Sequence, residues 1–190
     1  QFGGVAYVFS RAGAAWAQQA VLVASDHQNA DQFGQSVAID GDTIVVGSYG
    51  NDLLGGPGNN FGAAYVFTRT GTTWTQQAKV TSADPAAGDF FGYSVGVHGD
   101  SVVAGAPLDD DAGAGSGAAY VFTRTSTTWT QQAKVTSADA AEGDGFGIAV
   151  AIKGATIIAG AYNDDDAGAD SGAAYVFTRS ATTWSELTKL

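Results

Sequence analysis

AYVFTRTGTTWTQQA, running from Ala64 to Ala78, decides the fold because it recurs. It returns as AYVFTRTSTTWTQQA from Ala119, as AYVFSRAGAAWAQQA from Ala6 and as AYVFTRSATTWSELT from Ala174. Tyr7, Tyr65, Tyr120 and Tyr175 are spaced by 58, 55 and 55 residues, and Trp16, Trp74, Trp129 and Trp184 keep the same intervals. A second block begins at Phe33-Gly34, Phe91-Gly92 and Phe146-Gly147 with matching offsets. Self-similarity at a fixed period marks a repeat architecture, in which each unit is one supersecondary element that needs its neighbour.

Within a unit the apolar residues alternate or form short runs bounded by glycine and aspartate, and no helical stripe is sustained. The spacing predicts strand one over Phe91 to Val97, a turn at His98-Gly99-Asp100, strand two over Ser101 to Ala106, strand three over Gly117 to Arg124 and strand four over Thr127 to Val135. Asp40-Gly41 and Lys153-Gly154 repeat the tight-turn chemistry of the first hairpin. Four antiparallel strands make a blade, so the expectation is an all-β chain of about three and a half propeller blades. The half blade covers residues 1–32 and the blades 33–90, 91–145 and 146–190. Such a sheet is apolar on both faces and has to stack on the next one. Val66, Phe67 and Trp74 are the expected interlocking side chains, and burying one such aromatic contributes roughly 2–3 kcal/mol. Arg69, Arg124 and Arg179 recur at the end of strand three, where a guanidinium packs over a turn or pairs with a neighbouring blade.

Composition narrows the function. Glycine contributes 27 of 190 residues and charged residues only 14%, a profile of short strands and turns. Eight basic against 19 acidic side chains leave a formal charge of −11, which argues against nucleic acid as a partner. Cysteine and methionine are absent, which removes disulfides and thiolate sites. The missing initiator residue suggests a processed product or a piece of something longer. No run of 18 apolar residues is present to span a bilayer.

The Phe-Gly pairs, followed by Gly105-Ala106-Pro107 and its variants Gly47-Ser48-Tyr49 and Gly160-Ala161-Tyr162, resemble the FG-GAP repeat of integrin alpha-subunit propellers and their bacterial extracellular relatives. The resemblance covers essentially the whole chain. It implies a β-propeller, usually seven-bladed, serving in adhesion or ligand binding on secreted or cell-surface proteins. Three and a half blades do not close a ring, since closed propellers use about 4 to 8. The expectation is therefore part of a longer propeller, a homo-oligomer closed by blade stacking, or an open filament of stacked arcs.

Strand alternation places the loops after strands two and four on one face, and most of the acid falls there. Its densest clusters are Asp109, Asp110 and Asp111 in PLDDDAGAGSG, and Asp164, Asp165, Asp166 and Asp170 in YNDDDAGADSG. Hard oxygen ligands on a glycine-containing loop suit Ca²⁺. The competing reading is a solvated charged turn that keeps the protein soluble. The matching loop of the first repeat, YGNDLLGGPGNN, carries only Asp52 and is expected to bind weakly or not at all. Integrin-type repeats carry a D-x-D-x-D-G loop between strands one and two. Here that loop has shrunk to Asp40-Gly41, His98-Gly99 and Lys153-Gly154, so no site carries over to those positions. Asp89 and Asp144 stand two residues before the phenylalanine, where a carboxylate can accept backbone N–H bonds and fix the blade-to-blade turn, or lend an oxygen to a neighbouring calcium loop.

Converging catalytic groups are scarce. His27 and His98 occupy non-equivalent turns, and the plentiful serines show no nucleophile elbow. The sequence thus points to a non-catalytic extracellular binding, adhesion or structural module, calcium-stabilised and self-associating, with a protein or glycan as ligand. Two alternatives are a homopolymeric filament subunit and an accessory propeller domain of a secreted hydrolase.

Overall fold

The computed structural model describes residues 3–52 and 58–190, and every regular element among them is a β-strand. A two-stranded sheet of β1 (Ala6–Ala12) and β2 (Ala15–Leu22) comes first. Three four-stranded sheets follow: β3 (Val37–Asp40), β4 (Thr43–Ser48), β5 (Ala63–Thr70) and β6 (Thr73–Val80); β7 (Ser94–His98), β8 (Ser101–Ala106), β9 (Ala118–Thr125) and β10 (Thr128–Val135); β11 (Phe146–Lys153), β12 (Thr156–Ala161), β13 (Ala173–Ser180) and β14 (Thr183–Lys189). Each sheet is antiparallel with its strands side by side in chain order. The expected blades and leading half blade are therefore present.

The side-chain period of two gives each blade a forward and a backward face. Tyr65 and Phe67 of β5 look back toward the half blade and share its core with Ala6 and Val8. Ala64 and Val66, which alternate with them in sequence, look forward and pack with Phe91, Val95 and Val97 of the following blade. Strand two is covered from both sides, so β4 and β8 are buried at every residue. β12 alternates between buried and exposed because, among the described residues, no sheet covers its forward face.

The Phe-Gly pair does not begin strand one as the sequence suggests. Regular pairing starts at Val37 in β3 and at Ser94 in β7, and only β11 starts at its phenylalanine. The pair is instead a clasp. The Phe91 N–H donates to the Phe61 carbonyl at 3.2 Å, and the Gly92 N–H to Gly105 at 2.9 Å. Gly92 has φ 81°, a backbone that side chains rarely adopt. The Phe91 ring stands edge-on to Tyr120 and Phe122 of its own blade, 5.5 and 5.8 Å between centroids.

Neighbouring blades meet through these clasps. The Gly147 carbonyl lies so close over Gly105 that a Cβ there would collide with it, and the Gly92 carbonyl lies over Gly47 in the same way. The same carbonyls accept hydroxyl bonds from Ser94 at 2.7 Å and Ser36 at 3.0 Å. Each indole reaches back to a glutamine of the preceding sheet: Trp74 to Gln19, Trp129 to Gln77 and Trp184 to Gln132, at 2.8–2.9 Å. At the hairpin turns, Gly99 N–H donates to Asp40 at 2.7 Å and Gly154 N–H to His98 at 3.2 Å. Arg69 and Arg124 pair with Asp42 and Asp100 of their own blades, at 2.6 Å. Arg124 and Arg179 also reach back to Gln77 and Ser101. All three guanidiniums stack over the tryptophan of their own blade at 5.1–5.3 Å.

The two ends lack these contacts. Trp16 is 66% exposed, against 9% for Trp129 and Trp184, and Val37 and Ile39 are 62% and 63% exposed where their counterparts Val95 and Val97 are 8% and 9%. The last blade also differs in composition at the positions that hold a following blade. Ala149 replaces the serine, Lys153 replaces the Asp40 or His98 acceptor, and Leu187 replaces the glutamine. Gly160 has nothing within 3.8 Å of where a Cβ would stand.

This contrast predicts opposite outcomes for one substitution at two equivalent positions. Gly105→Ala is expected to cost about 3 kcal/mol, because the methyl meets a backbone carbonyl that cannot step aside. Gly160→Ala is expected to be neutral or stabilising by a few tenths of a kcal/mol. Urea denaturation of the two variants checks this, and equal losses would contradict it.

Candidate functional site

Three joints between blades share one construction. Tyr65, Tyr120 and Tyr175 of the third strands stand directly opposite Lys79, Lys134 and Lys189 of the fourth strands in the antiparallel register. A cross-strand pair on one face is close enough to interact, and each ammonium lies over its tyrosine ring, at 5.5, 5.1 and 5.3 Å. Two loops bring carboxylates to this pair, one from the crossover out of the preceding blade and one from the end of strand two.

In the last joint, Lys189 Nζ lies 2.8 Å from Asp139, 2.8 Å from Asp164 and 2.7 Å from Asp166. The Tyr175 hydroxyl donates to Asp164 and, at 2.8 Å, to Asp139. In the middle joint, Lys134 Nζ lies 3.0, 2.8 and 2.6 Å from Asp84, Asp109 and Asp111, with the Tyr120 hydroxyl donating to Asp109 at 2.6 Å. The first joint is thinner. Lys79 and Tyr65 both bond Asp26, at 2.7 and 2.8 Å, and Asn51 stands where the others have Asp109 and Asp164, donating to the Tyr65 hydroxyl at 3.1 Å.

The sequence-predicted residues therefore divide. Asp109, Asp111, Asp164 and Asp166 converge on a lysine. Asp110 instead accepts the Gly115 N–H at 2.7 Å and closes its own turn. The Asp165 carbonyl accepts the Gly168 N–H at 3.0 Å, and Asp170 is an exposed turn residue with φ 49°. In the first repeat Asp52 accepts the N–H groups of Gly58 and Asn60 at 3.0 and 2.7 Å, while the middle of that loop, residues 53–57, lies outside the described residues. Sequence reasoning missed Lys134, Lys189 and their tyrosines as members of the cluster. The signal was available: a lysine five residues after Trp74, Trp129 and Trp184, opposite the recurring tyrosine.

One carboxylate oxygen each from Asp139, Asp164 and Asp166 lies within 4.8 Å of the others, a set that can hold a metal ion. All three are hard oxygen donors of the kind Ca²⁺ takes. The Lys189 ammonium bonds the same three groups.

The electrostatics follow from this packing. Burial alone would raise the Asp139 carboxyl, but hydrogen bonds from Lys189 and Tyr175 overcome it and hold the group at about 2. Asp26, Asp84 and Asp164 are likewise lowered, burial being outweighed by their lysine and tyrosine donors. Burial opposes the charged form of Lys134, yet its three carboxylates push its pKa up. Burial and the adjoining carboxylates raise Tyr65 and Tyr120. Tyr175 is also raised, by burial and the Asp164 hydrogen bond, against the lowering effect of Lys189.

Asp89 and Asp144 serve the crossover turns. Their carboxylates accept the N–H groups of Ala86 and Ala141 at 2.7 Å, as Asp31 accepts that of Gln28 at 2.7 Å. Burial pushes Asp89 up to about 6 against the pull of the Ala86 N–H, with the charge of Asp109 adding to the rise. The two histidines are also engaged in turns: His98 accepts from Gly154, and a ring nitrogen of His27 lies 3.1 Å from the Ala24 carbonyl.

Residues 16–67, 74–122 and 129–177 match the FG-GAP repeat family in three consecutive segments, and the chain belongs to that family. FG-GAP repeats form β-propeller-type modules, are typical of extracellular proteins and are typically non-catalytic. No helix among the described residues is long and apolar enough to cross a membrane. A search of curated proteins found none that matches.

The opposed shifts of Asp89 and Asp139 predict how the stability depends on pH. Asp89 has a folded pKa of about 6, above its ordinary value of 3.8, so its ionisation penalises the fold above pH 6 and the penalty is relieved as pH falls toward 4. Asp139, held at about 2, contributes stability above pH 4 that is lost as pH falls from 4 to 2. The melting temperature is expected to rise from pH 7 to 5 and fall below 4. Asp89→Asn is expected to flatten the upper slope and leave the acid limb. An unchanged upper slope in that variant would contradict the assignment.

Proposed function

We propose that this chain is a non-catalytic extracellular repeat module that works through its surfaces, binding a protein or glycan and associating through its blade faces. The observation that supports this most is the use made of the polar groups. The convergent carboxylates are taken up in ion pairs with a lysine inside each joint, and both histidines hold turns. A cavity of about 450 Å³ beside the half blade is lined by apolar groups such as Val8, Val37 and Ile39. Such a surface can recognise a partner by shape, but it brings no acid–base pair to a substrate. Assays on glycosides, esters and phosphoesters are expected to show no turnover. Reproducible hydrolysis that disappears on replacing one acidic pair would overturn the proposal.

A second reading is favoured by the three oxygens of Asp139, Asp164 and Asp166: Ca²⁺ stabilises the acidic joints by taking the place of the lysine ammonium. Millimolar Ca²⁺ is then expected to raise the melting temperature, and Asp164→Ala combined with Asp166→Ala to remove the increase. No increase in the unmodified protein would contradict it.

A further inference from the structure

Three arginines share one backbone setting, and one of them lacks the partner the other two have. The Arg69, Arg124 and Arg179 N–H groups donate to the carbonyls of Asp42, Asp100 and Ala155 at 2.9, 2.9 and 2.8 Å, so each hairpin turn stands in the same place beside its arginine. In the first two blades a single aspartate oxygen takes both Nε and Nη2 of the guanidinium, at 2.7 and 2.6 Å. In the third, alanine leaves that place without a carboxylate, and among the described residues Arg179 forms no ion pair.

Arg179 is nevertheless held as its counterparts are. Its guanidinium lies 5.2 Å over the ring of Trp184, which is buried and bonded through its indole to Gln132 at 2.9 Å. Its Nη1 donates to the Ser101 hydroxyl of the preceding blade at 3.3 Å. A stacked guanidinium already fixed in place loses little freedom when a carboxylate arrives. The vacated place faces solvent by its position in the blade: the Asp42 and Asp100 side chains are 67% and 68% exposed although a further blade follows each. The surrounding charges also favour an anion. Lys153 is exposed on the same turn, the His98 ring faces Gly154, and Asp100, the acid of the preceding turn, is held by Arg124.

We infer that Arg179 anchors a binding subsite for the carboxylate of an acidic sugar, which takes the place that Asp42 and Asp100 fill in the other blades. The inference rests on the non-catalytic binding-module reading and names its ligand class. A planar guanidinium fork matches a carboxylate in shape as well as charge. The formal charge of −11 repels a partner dense in acid, so the carboxylate comes singly among neutral groups, as a uronic acid does in a glycan. Ser180, Thr182 and Thr183 are exposed on the β13–β14 hairpin beside Arg179, and their hydroxyls can donate to and accept from those of a sugar ring.

Titration of the intact chain with methyl glucuronoside, followed by NMR through the arginine Nε–H signals, tests this. The Arg179 signal is expected to shift and saturate while those of Arg69 and Arg124 stay, and methyl glucoside, which has no carboxylate, is expected to move none. Ala155→Asp returns the internal partner to an exposed turn, so the fold is kept and glucuronoside binding is expected to weaken at least about tenfold. Asp100→Ala makes the converse change, to the residue the equivalent turn of the last blade already carries. It is expected to open a second site, at which the Arg124 signal now responds. No response at Arg179, undiminished binding in Ala155→Asp, or a silent Arg124 in Asp100→Ala would each overturn the inference. So would N-acetylaspartate amide binding as tightly as the glucuronoside, which would make the partner an acidic peptide. Turnover of a glycoside would overturn the non-catalytic reading and leave the Arg179 subsite standing.

Discussion

The approach of one blade's Phe-Gly carbonyl over a bare glycine of the blade before it is the constraint on which the rest depends. At Gly47 and Gly105 there is no room for a methyl group, so the two backbones touch and the distance between sheets is set there. That distance brings the indole of Trp129 within 2.9 Å of Gln77 and that of Trp184 within 2.9 Å of Gln132. It also closes the apolar cores, one shared by Val66 and Val95 and the next by Val121 and Ile157. Aromatic burial supplies the larger free energy, roughly 2–3 kcal/mol per ring, but it is the glycine contact that lets the rings arrive.

The same spacing controls the charges. A chain with a formal charge of −11 gathers acidic loops on one face, where bare carboxylates would repel one another. Lys134 and Lys189, each lying over a buried tyrosine, put a positive charge at the centre of each cluster. Asp84 and Asp139, which face a lysine, are held low while Asp89, which has only a backbone donor, is pushed up. Identical side chains thus take opposite roles according to which neighbour the loop brings.

The sequence made the strands, their order, the blades and the stacking of Trp129 and Trp184 legible, because a period of two and a repeat of about 55 residues leave few alternatives. Three things were not legible in that way. Phe91-Gly92 reads as the start of a strand, and only the path of the backbone shows it to be a clasp between sheets. Asp109, Asp110 and Asp111 are indistinguishable as letters, yet one is buried against a tyrosine, one caps its own turn and one meets a lysine. Ala149, Lys153 and Leu187 look like ordinary drift until their counterparts Ser94, His98 and Gln132 are seen to hold the next blade. In each case a long-range neighbour gives the residue its meaning, and local pattern does not record it.

Whether the blades lie against one another as described is tested most directly by solvent exchange of the four tryptophan indole N–H groups. Those of Trp129 and Trp184, buried at the joints and bonded to Gln77 and Gln132, are expected to exchange slowly, and that of Trp16 on the open half blade rapidly. Four indoles exchanging at one common fast rate would mean that the sheets do not stack, and would contradict the account.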